Sequence, residues 1–262
     1  MENKKFVITS TNVQEQANKI STWIKSQVKE ANAKGVVLGM SGGIDCSTVA
    51  RLCQEGNVNI HLILMPYGEN VNCNDAMELI NKFNFDFHTF NIKPVVDALK
   101  ISKDKSKYEN IQLAEANILP RVRMTYLYQY AQLNNLLVIG TGNLSERTVG
   151  YFTKWGDGAC DINPLANVTK TEVYLLANYL KIPNCIINKE PSAELWNGQT
   201  DEEELGISYE KIDKYIFNGT SGDVEIDKKI QEKNSRNMHK VKSIPLYNDW
   251  KIRRWILWVK LQ

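Results

Sequence analysis

Apolar positions recur along this chain with two different periods, and the alternation of the two sets out its elements. Residues 12–33 are polar and helix-favouring, with Ile20, Trp23, Ile24 and Val28 at helical spacing, which predicts a first amphipathic helix. VVLGM (36–40) is a short unbroken apolar run and predicts a buried strand. It breaks into SGGIDCST, after which TVARLCQ continues as a helix. IHLILMP (60–66) predicts a second strand ending at Pro66. Asn72 can cap a helix carrying Ala76, Leu79, Ile80 and Phe83 on one face. FDFHTFNI (85–92) alternates as a third strand, a long helix covers 111–133, and LLVIGT (136–141) is a fourth strand. Thr169-Lys170-Thr171-Glu172 is a capping box opening a helix with Val173, Leu176, Ala177 and Leu180 inward. Strands alternating with helices imply right-handed crossovers and a parallel sheet covered on both faces, an α/β fold. Ligands of such folds sit beyond the carboxyl ends of the strands. GMSGGID and IGTGNLSE stand at two of those ends. From about residue 187 the periodicity stops: NKEPSAELWNGQTDEEELG is acidic and broken by Gly and Pro, so 187–207 is expected to be a mobile loop or lid. SYEKIDKYIF, VEIDKKIQEKNSR and YNDWKIRRWILW predict three further, C-terminal helices.

Composition narrows the function classes. The 262 residues are 43% hydrophobic and 24% charged, enough for a single α/β domain over 1–262 with its own core. Lys plus Arg is 32 and Asp plus Glu 30, a net charge of +2, so no one-signed field points to nucleic acid or a membrane as partner. The five cysteines form no CxxC pair, which fits reduced thiols in a cytoplasmic protein. The three histidines are far apart in sequence, against a His/Cys zinc cluster. The start MENKKFVITS has no signal-peptide core, and no apolar run reaches the roughly 20 residues of a membrane span.

The turn Ser41-Gly42-Gly43-Ile44-Asp45-Cys46-Ser47 carries the first chemistry. A turn between strand and helix aims backbone N–H groups and a helix N-terminus at one point, which suits phosphate. Gly42 and Gly43 permit close approach and positive φ, and Ser41 and Ser47 add hydroxyl donors. Asp45 is the odd member, because a carboxylate repels phosphate. It makes sense with Mg²⁺ between them, an ion typically held by one or two carboxylates plus phosphate oxygens. The turn is neither a Walker loop nor GxGxxG. It resembles the SGGxDS loop of the N-type ATP pyrophosphatases, adenine nucleotide alpha hydrolase-like enzymes with a Rossmann-like sheet. Those enzymes grip the β,γ-pyrophosphate of ATP while a substrate oxygen attacks the α-phosphorus. The resemblance implies ATP contacts from Gly39, Met40, Ser41, Gly42, Gly43, Ile44, Asp45, Cys46 and Ser47. Cys46 replaces the family's Ser; a thiol is a weaker donor, so one contact is lost or passes to Ser47. Its place at a helix N-terminus also favours thiolate, the alternative being an inert replacement.

Within that superfamily, GTGNLSERTVGYFTKWGDGACDINPLANVTK, KEPSAELWNGQTDEEELGISYEKID and MHKVKSIP resemble ammonia-dependent NAD synthetase, from about 36 to 250 and in that family's order. The resemblance implies that Glu146 joins Asp45 as a Mg²⁺ carboxylate, although from the residues alone it could pair with Arg147 or Lys154. It implies ATP contacts from Thr141, Lys170 and Ser192, and catalytic roles for Asp45, Lys170 and Asp161. The acid substrate falls to Arg121, Lys154, Asp161, His239 and Lys240, flanked by Phe152 and Trp155, whose rings suit a planar nicotinate. Two departures stand out. The family's NIKAR is NILPR here, so Leu119 and Pro120 change the backbone entering Arg121. Leu64 stands where some relatives carry an arginine, so that ATP contact is absent or supplied elsewhere.

The implied reaction is the last step of NAD biosynthesis: deamido-NAD is adenylated by ATP, and ammonia displaces AMP. Asp157 and Asp161 are the candidates for taking the ammonia proton; Asp161 ranks first as a substrate contact, and the ammonia role stays open between them. Glutamine as nitrogen donor would need an amidase domain, for which the residues before Ser41 leave no room, so free ammonia or a separate amidase is expected. The family forms two-fold homodimers. Helix 111–133, with Met124, Tyr126, Leu127, Tyr128 and Tyr130, has apolar surface for an interface, or for burial in one core. Two alternatives remain: a pyrophosphatase of the same loop acting on another carboxylate or on tRNA, and a non-catalytic nucleotide-binding relative. The chain lacks the basic patch or extra Cys motifs of an RNA-modifying enzyme. Retention of Asp45, Glu146 and Lys170 together speaks against a non-catalytic module.

Overall fold

The computed structural model describes residues 7–68, 73–100, 110–192, 198 and 200–247. Through them the chain runs α1 (Val13–Glu30), β1 (Val36–Gly39), α2 (Ile44–Glu55), β2 (Ile60–Leu64), α3 (Asn74–Phe83), β3 (Phe87–Thr89), α4 (Lys93–Leu99), α5 (Ile111–Ala116) and α6 (Ile118–Asn134). It continues through β4 (Leu137–Val138), α7 (Leu144–Val149), α8 (Lys170–Tyr179), α9 (Asn184–Ile187), α10 (Asp201–Leu205), α11 (Tyr209–Asn218) and α12 (Val224–Val241). The strands form a parallel sheet in the order β3-β2-β1-β4. In it Val36 of β1 is opposite both Ile60 of β2 and Leu137 of β4. The chain builds outward from β1 to β3, then returns to place β4 on the other side of β1. The carboxyl ends of β1 and β4 therefore flank the point where strand order reverses, and there such sheets open a crevice for ligands.

Alternation along the strands divides the core. Val36 and Leu38 of β1, with Leu62 and Leu64 of β2, face a cluster built with α1, α2, α3 and α8. Val37 and Ile63 face the opposite way, into a cluster shared with α4 and α6. A smaller third cluster joins Val149 of α7 to Leu205, Tyr209, Ile212 and Ile230, and so fastens the C-terminal helices over the crevice.

Several elements differ from expectation. The helix over 111–133 is broken at Asn117 into α5 and α6, because Pro120 has no N–H to bond back to the preceding turn. Only Phe87–Thr89 of the 85–92 stretch pairs, as an exposed edge strand. The capping residue of α3 is Cys73; Asn72 lies outside the described residues. Within 187–207 the chain forms α10, with Asp201 and Leu205 buried, while 193–197 and 199 lie outside the described residues. The third C-terminal helix, expected from Tyr247 onward, falls almost wholly outside them.

Glu172 fixes the start of α8. It is 1% exposed. Its Oε2 accepts from the Thr169 N–H at 2.9 Å and the Thr169 hydroxyl at 3.0 Å, and its Oε1 from the Val7 and Ile8 N–H groups, both at 2.8 Å. Glu172→Ala removes four acceptor contacts in a buried site. We expect a loss of about 2–4 kcal/mol, read from the denaturant midpoint, with faster hydrogen exchange at Val7 and Ile8.

Candidate active site

β1 ends in the glycine turn because only glycine fits at its bend. Gly42 has φ +86°, and a Cβ there would stand 2.8 Å from the Ala76 backbone nitrogen. Ser41 Oγ accepts from the Gly43 N–H at 3.2 Å, and no side chain caps the N-terminus of α2. The Cys46 thiol turns back onto the loop: it donates to the Gly43 carbonyl at 3.2 Å and lies 3.2 Å from Ser41 Oγ.

α7 and α8 are closed by capping boxes, from Asn143 to Glu146 and from Thr169 to Glu172. Their starts converge on Asp45. Lys170, 2% exposed, places Nζ 2.6 Å from Asp45 Oδ2 and 3.6 Å from Glu146 Oε1, above the Tyr209 ring. A lysine in the first turn of a helix opposes the helix dipole. The opposition is offset by Asp213 of α11, whose carboxylate accepts from the Thr171 N–H at 2.8 Å and from the Ser145 hydroxyl. Ser145 Oγ in turn accepts from the Lys170 N–H at 2.9 Å.

Burial alone would discharge Lys170, but the Asp45 and Glu146 carboxylates outweigh it and hold its pKa above the ordinary lysine value. For Glu146, burial first and then the charge of Asp45 push the carboxyl up to about 8, against the pull of Lys170. Its folded pKa thus lies above its ordinary value, so its contribution is full at low pH and disappears as pH rises through about 8. In chelator, the melting temperature of the wild type should fall relative to Glu146→Gln between about pH 4.5 and 8 and run parallel above that. A pH-independent difference would contradict the shift.

A cavity of about 710 Å³ opens over these groups. Gly39, Met40, Ser41, Gly43, Ile44, Asp45 and Cys46 line it from the loop, and Thr141, Glu146, Lys170 and Ser192 from later elements. Arg121, Lys154, His239 and Lys240 form its far wall with Phe152 and Trp155. Lys154 is the joint of that wall: its carbonyl accepts from Arg121 Nε at 3.3 Å, and its Nζ lies 3.3 Å from His239 Nδ1. Lys240 Nζ donates to the Gly150 and Phe152 carbonyls at 2.8 and 2.9 Å and so ties α12 to the loop after α7. Gly150 is required there, since a Cβ would stand 2.1 Å from Asn237 Cβ.

Three expected residues do not line the cavity. Gly42 packs against α3. Ser47 is fully buried with a hydroxyl that finds no partner, so it offers no donor to the cavity. Asp161 lies outside the cavity, and its carboxylate accepts from the Val138 N–H at 2.8 Å and from Tyr128 Oη at 3.3 Å. The last strand of the sheet needs an acceptor on its open side, and Asp161 supplies it. Asp157 lines the cavity instead, with its pKa raised chiefly by burial. Sequence reasoning missed Asn143, Asp213 and Asp201. The N-x-x-E spacing of Asn143 and Glu146 was a readable signal for the first; nothing local marks the other two.

The NAD synthase family model matches residues 16–254. The chain belongs to the NAD synthase family. The NH(3)-dependent NAD(+) synthetase of Carboxydothermus hydrogenoformans is 43% identical over 237 residues, 89% of this chain and 97% of its own length. Among solved structures, the NMN synthetase of Francisella tularensis aligns with a TM-score of 0.83 at 36% identity, over 90% of this chain and 99% of its own. The NH3-dependent NAD synthetase of Campylobacter jejuni, in complex with nitrate, aligns at 0.75 and 32% identity over 90% and 99%. The NAD synthase family places this chain among nucleotide-binding ligases that use ATP. No helix among the described residues is long and apolar enough to cross a membrane.

Proposed function

We propose that this cavity amidates deamido-NAD to NAD⁺, using ATP and ammonia. The reading rests above all on the buried Asp45–Lys170–Glu146 cluster beside the uncapped start of α2, in a chain of this family. A carboxylate offers ammonia no leaving group, so ATP must provide one. An oxygen of the nicotinate carboxylate attacks the α-phosphorus, the bond to the β-phosphate breaks, and pyrophosphate leaves. Ammonia then forms the C–N bond of the acyl adenylate, the C–O bond to AMP breaks, and nitrogen loses a proton. No side chain becomes covalently attached.

The protein positions groups and balances charge. The loop and Lys170 hold the β,γ-phosphates, with Thr141 and Ser192 lining the same cavity. Arg121, Lys154 and His239 orient the acid substrate against Phe152 and Trp155. Asp157 lines the cavity and holds its proton more tightly than an ordinary aspartate, which suits the acceptor of the ammonia proton. Asp45 and Glu146 suit Mg²⁺: their oxygens are hard donors, and the proton affinity of Glu146 marks negative charge that a cation relieves. An ion held by these two carboxylates would complete its shell with phosphate oxygens and water. When bound, Mg²⁺ would neutralise charge building on the leaving pyrophosphate. Residues 200–206 would cover the adenylate; Glu204, in the cavity wall, already accepts from Tyr151 Oη at 2.8 Å. Exposed Tyr128 and Leu133 on α6 give a two-fold homodimer its apolar contact. The five free cysteines suit a reducing cytoplasm.

One observation favours a second reading: the NMN synthetase of Francisella tularensis aligns with the chain at a TM-score of 0.83. On that reading the amidated acid is the mononucleotide. The deciding experiment supplies ATP, Mg²⁺ and ammonium with either deamido-NAD or nicotinate mononucleotide, and measures AMP and amide. Equal AMP and NAD⁺ from deamido-NAD is the expected result. Amide from the mononucleotide alone replaces the first reading with the second. ATP binding without AMP from either acid would leave a nucleotide-binding relative.

A further inference from the structure

We infer that Asn143 is a positioning residue that sets the spacing of Asp45 and Glu146, and with it the size of divalent cation the site accepts. The inference rests on the reading that these two carboxylates share a cation. Asn143 is fully buried between them and bonds to both. Its Nδ2 donates to Asp45 Oδ1 at 3.0 Å. Its backbone N–H donates to Glu146 Oε2 at 3.0 Å, and its Oδ1 accepts from the Glu146 N–H at 3.0 Å. Asp45 and Glu146 come from different helices, α2 and α7, and Asn143 links them, to Asp45 through its side-chain amide and to Glu146 through its backbone N–H. Lys170 also reaches both, through its ammonium at the end of a long side chain. Asn143 is held at the start of α7 by its own cap.

Each carboxylate is left with one oxygen on this network and one toward Lys170: Oδ2 of Asp45 at 2.6 Å and Oε1 of Glu146 at 3.6 Å. Both oxygens face the Lys170 ammonium, and the bonds from Asn143 restrain either carboxylate from swinging away. Mg²⁺ and Mn²⁺ demand short bonds and near-octahedral angles, whereas Ca²⁺ tolerates longer bonds and loose geometry. A rigid pair favours the smaller ions, and a freed pair loses that preference. Removing a hydrogen-bond partner of a metal ligand typically costs about 10–100-fold in metal affinity.

The test separates this role from capping. Asn143→Ser and Asn143→Thr keep a side-chain oxygen able to cap α7 but lose the amide donor to Asp45. Mn²⁺ and Ca²⁺ binding is measured on the full chain with a non-hydrolysable ATP analogue, together with melting in chelator and the Mg²⁺ dependence of turnover. The expected result is Mn²⁺ affinity weakened about tenfold with Ca²⁺ affinity little changed, a KM for Mg²⁺ raised to match, and kcat at saturating Mg²⁺ within about threefold of wild type. Two variants guard against one failing to fold, and melting in chelator identifies such a failure. Folded variants with wild-type Mn²⁺ and Ca²⁺ affinities overturn the inference. Asp45→Asn and Glu146→Gln serve as controls: if they bind Mn²⁺ as the wild type does, the shared-cation reading itself falls, a result distinct from failure at Asn143 alone.

Discussion

Asp45→Asn lowers AMP and NAD⁺ formation together, by about 10³-fold or more, while the protein stays folded. The two products fall in step because Asp45 acts before the first bond breaks. Its carboxylate pairs with Lys170 and accepts from Asn143, so the amide replacement removes the negative charge at the centre of the cluster. Asparagine is nearly the same size, and Glu146 remains as counter-charge to Lys170 at 3.6 Å, so the change in shape is slight. Quenched-flow measurement of AMP, alongside NAD⁺, checks the result. A variant that still made AMP at the wild-type rate but lost NAD⁺ would place Asp45 in the ammonia step and contradict the assignment.

Lys170→Met has the largest expected effect on the folded state, as well as abolishing turnover. The side chain is 3% exposed and lies between two carboxylates. Methionine fills the volume but leaves Asp45 and Glu146 facing each other without a cation. Breaking a buried pair in this way costs about 3–5 kcal/mol, because the remaining charge stays out of water. The deficit should shrink as pH falls through about 8, where Glu146 takes up a proton and no longer repels Asp45. It should also shrink when Mg²⁺ and ATP are added, if the cation replaces the lost ammonium. Thermal melts across pH, with and without Mg²⁺–ATP, check each part. Loss of stability that is equal at all pH values would mean that packing alone is being measured.

The loop and the Thr169–Glu172 capping box were legible because their signals are local; the Asn143–Glu146 box carries the same kind of signal and was missed. Gly42 needs a positive φ and a near neighbour that only glycine tolerates. Asn143 with Glu146, and Thr169 with Glu172, lie three residues apart, the distance at which side chain and backbone trade hydrogen bonds. The break at Asn117 was foreshadowed by Pro120. Asp157 and Asp161 show where local reading stops. Both lie in one glycine-bearing segment, yet one faces the cavity and the other is taken by the open edge of β4. Which carboxylate faced which way depended on an edge that is defined only once the strands have paired. Ser47 lies away from the cavity for a similar reason. It follows the loop by sequence, but the turn of α2 carries it into the core.

From its own pattern, the chain determined an alternating α/β order, a phosphate-type turn after its first strand and the cast of charged residues at the ends of two strands. These follow from periodicity and short-range hydrogen bonding, which the chain carries wherever it goes. The tertiary structure alone decided which of those charges meet. Asp45, Glu146, Lys170 and Asp213 belong to four different helices, and they converge because β4 pairs beside β1 and α11 packs onto α7 and α8. Removal from water at that convergence is what raises the proton affinity of Glu146 and binds Lys170 to its partners. Coulombic coupling of this strength requires both proximity and burial, and a linear order of residues specifies neither.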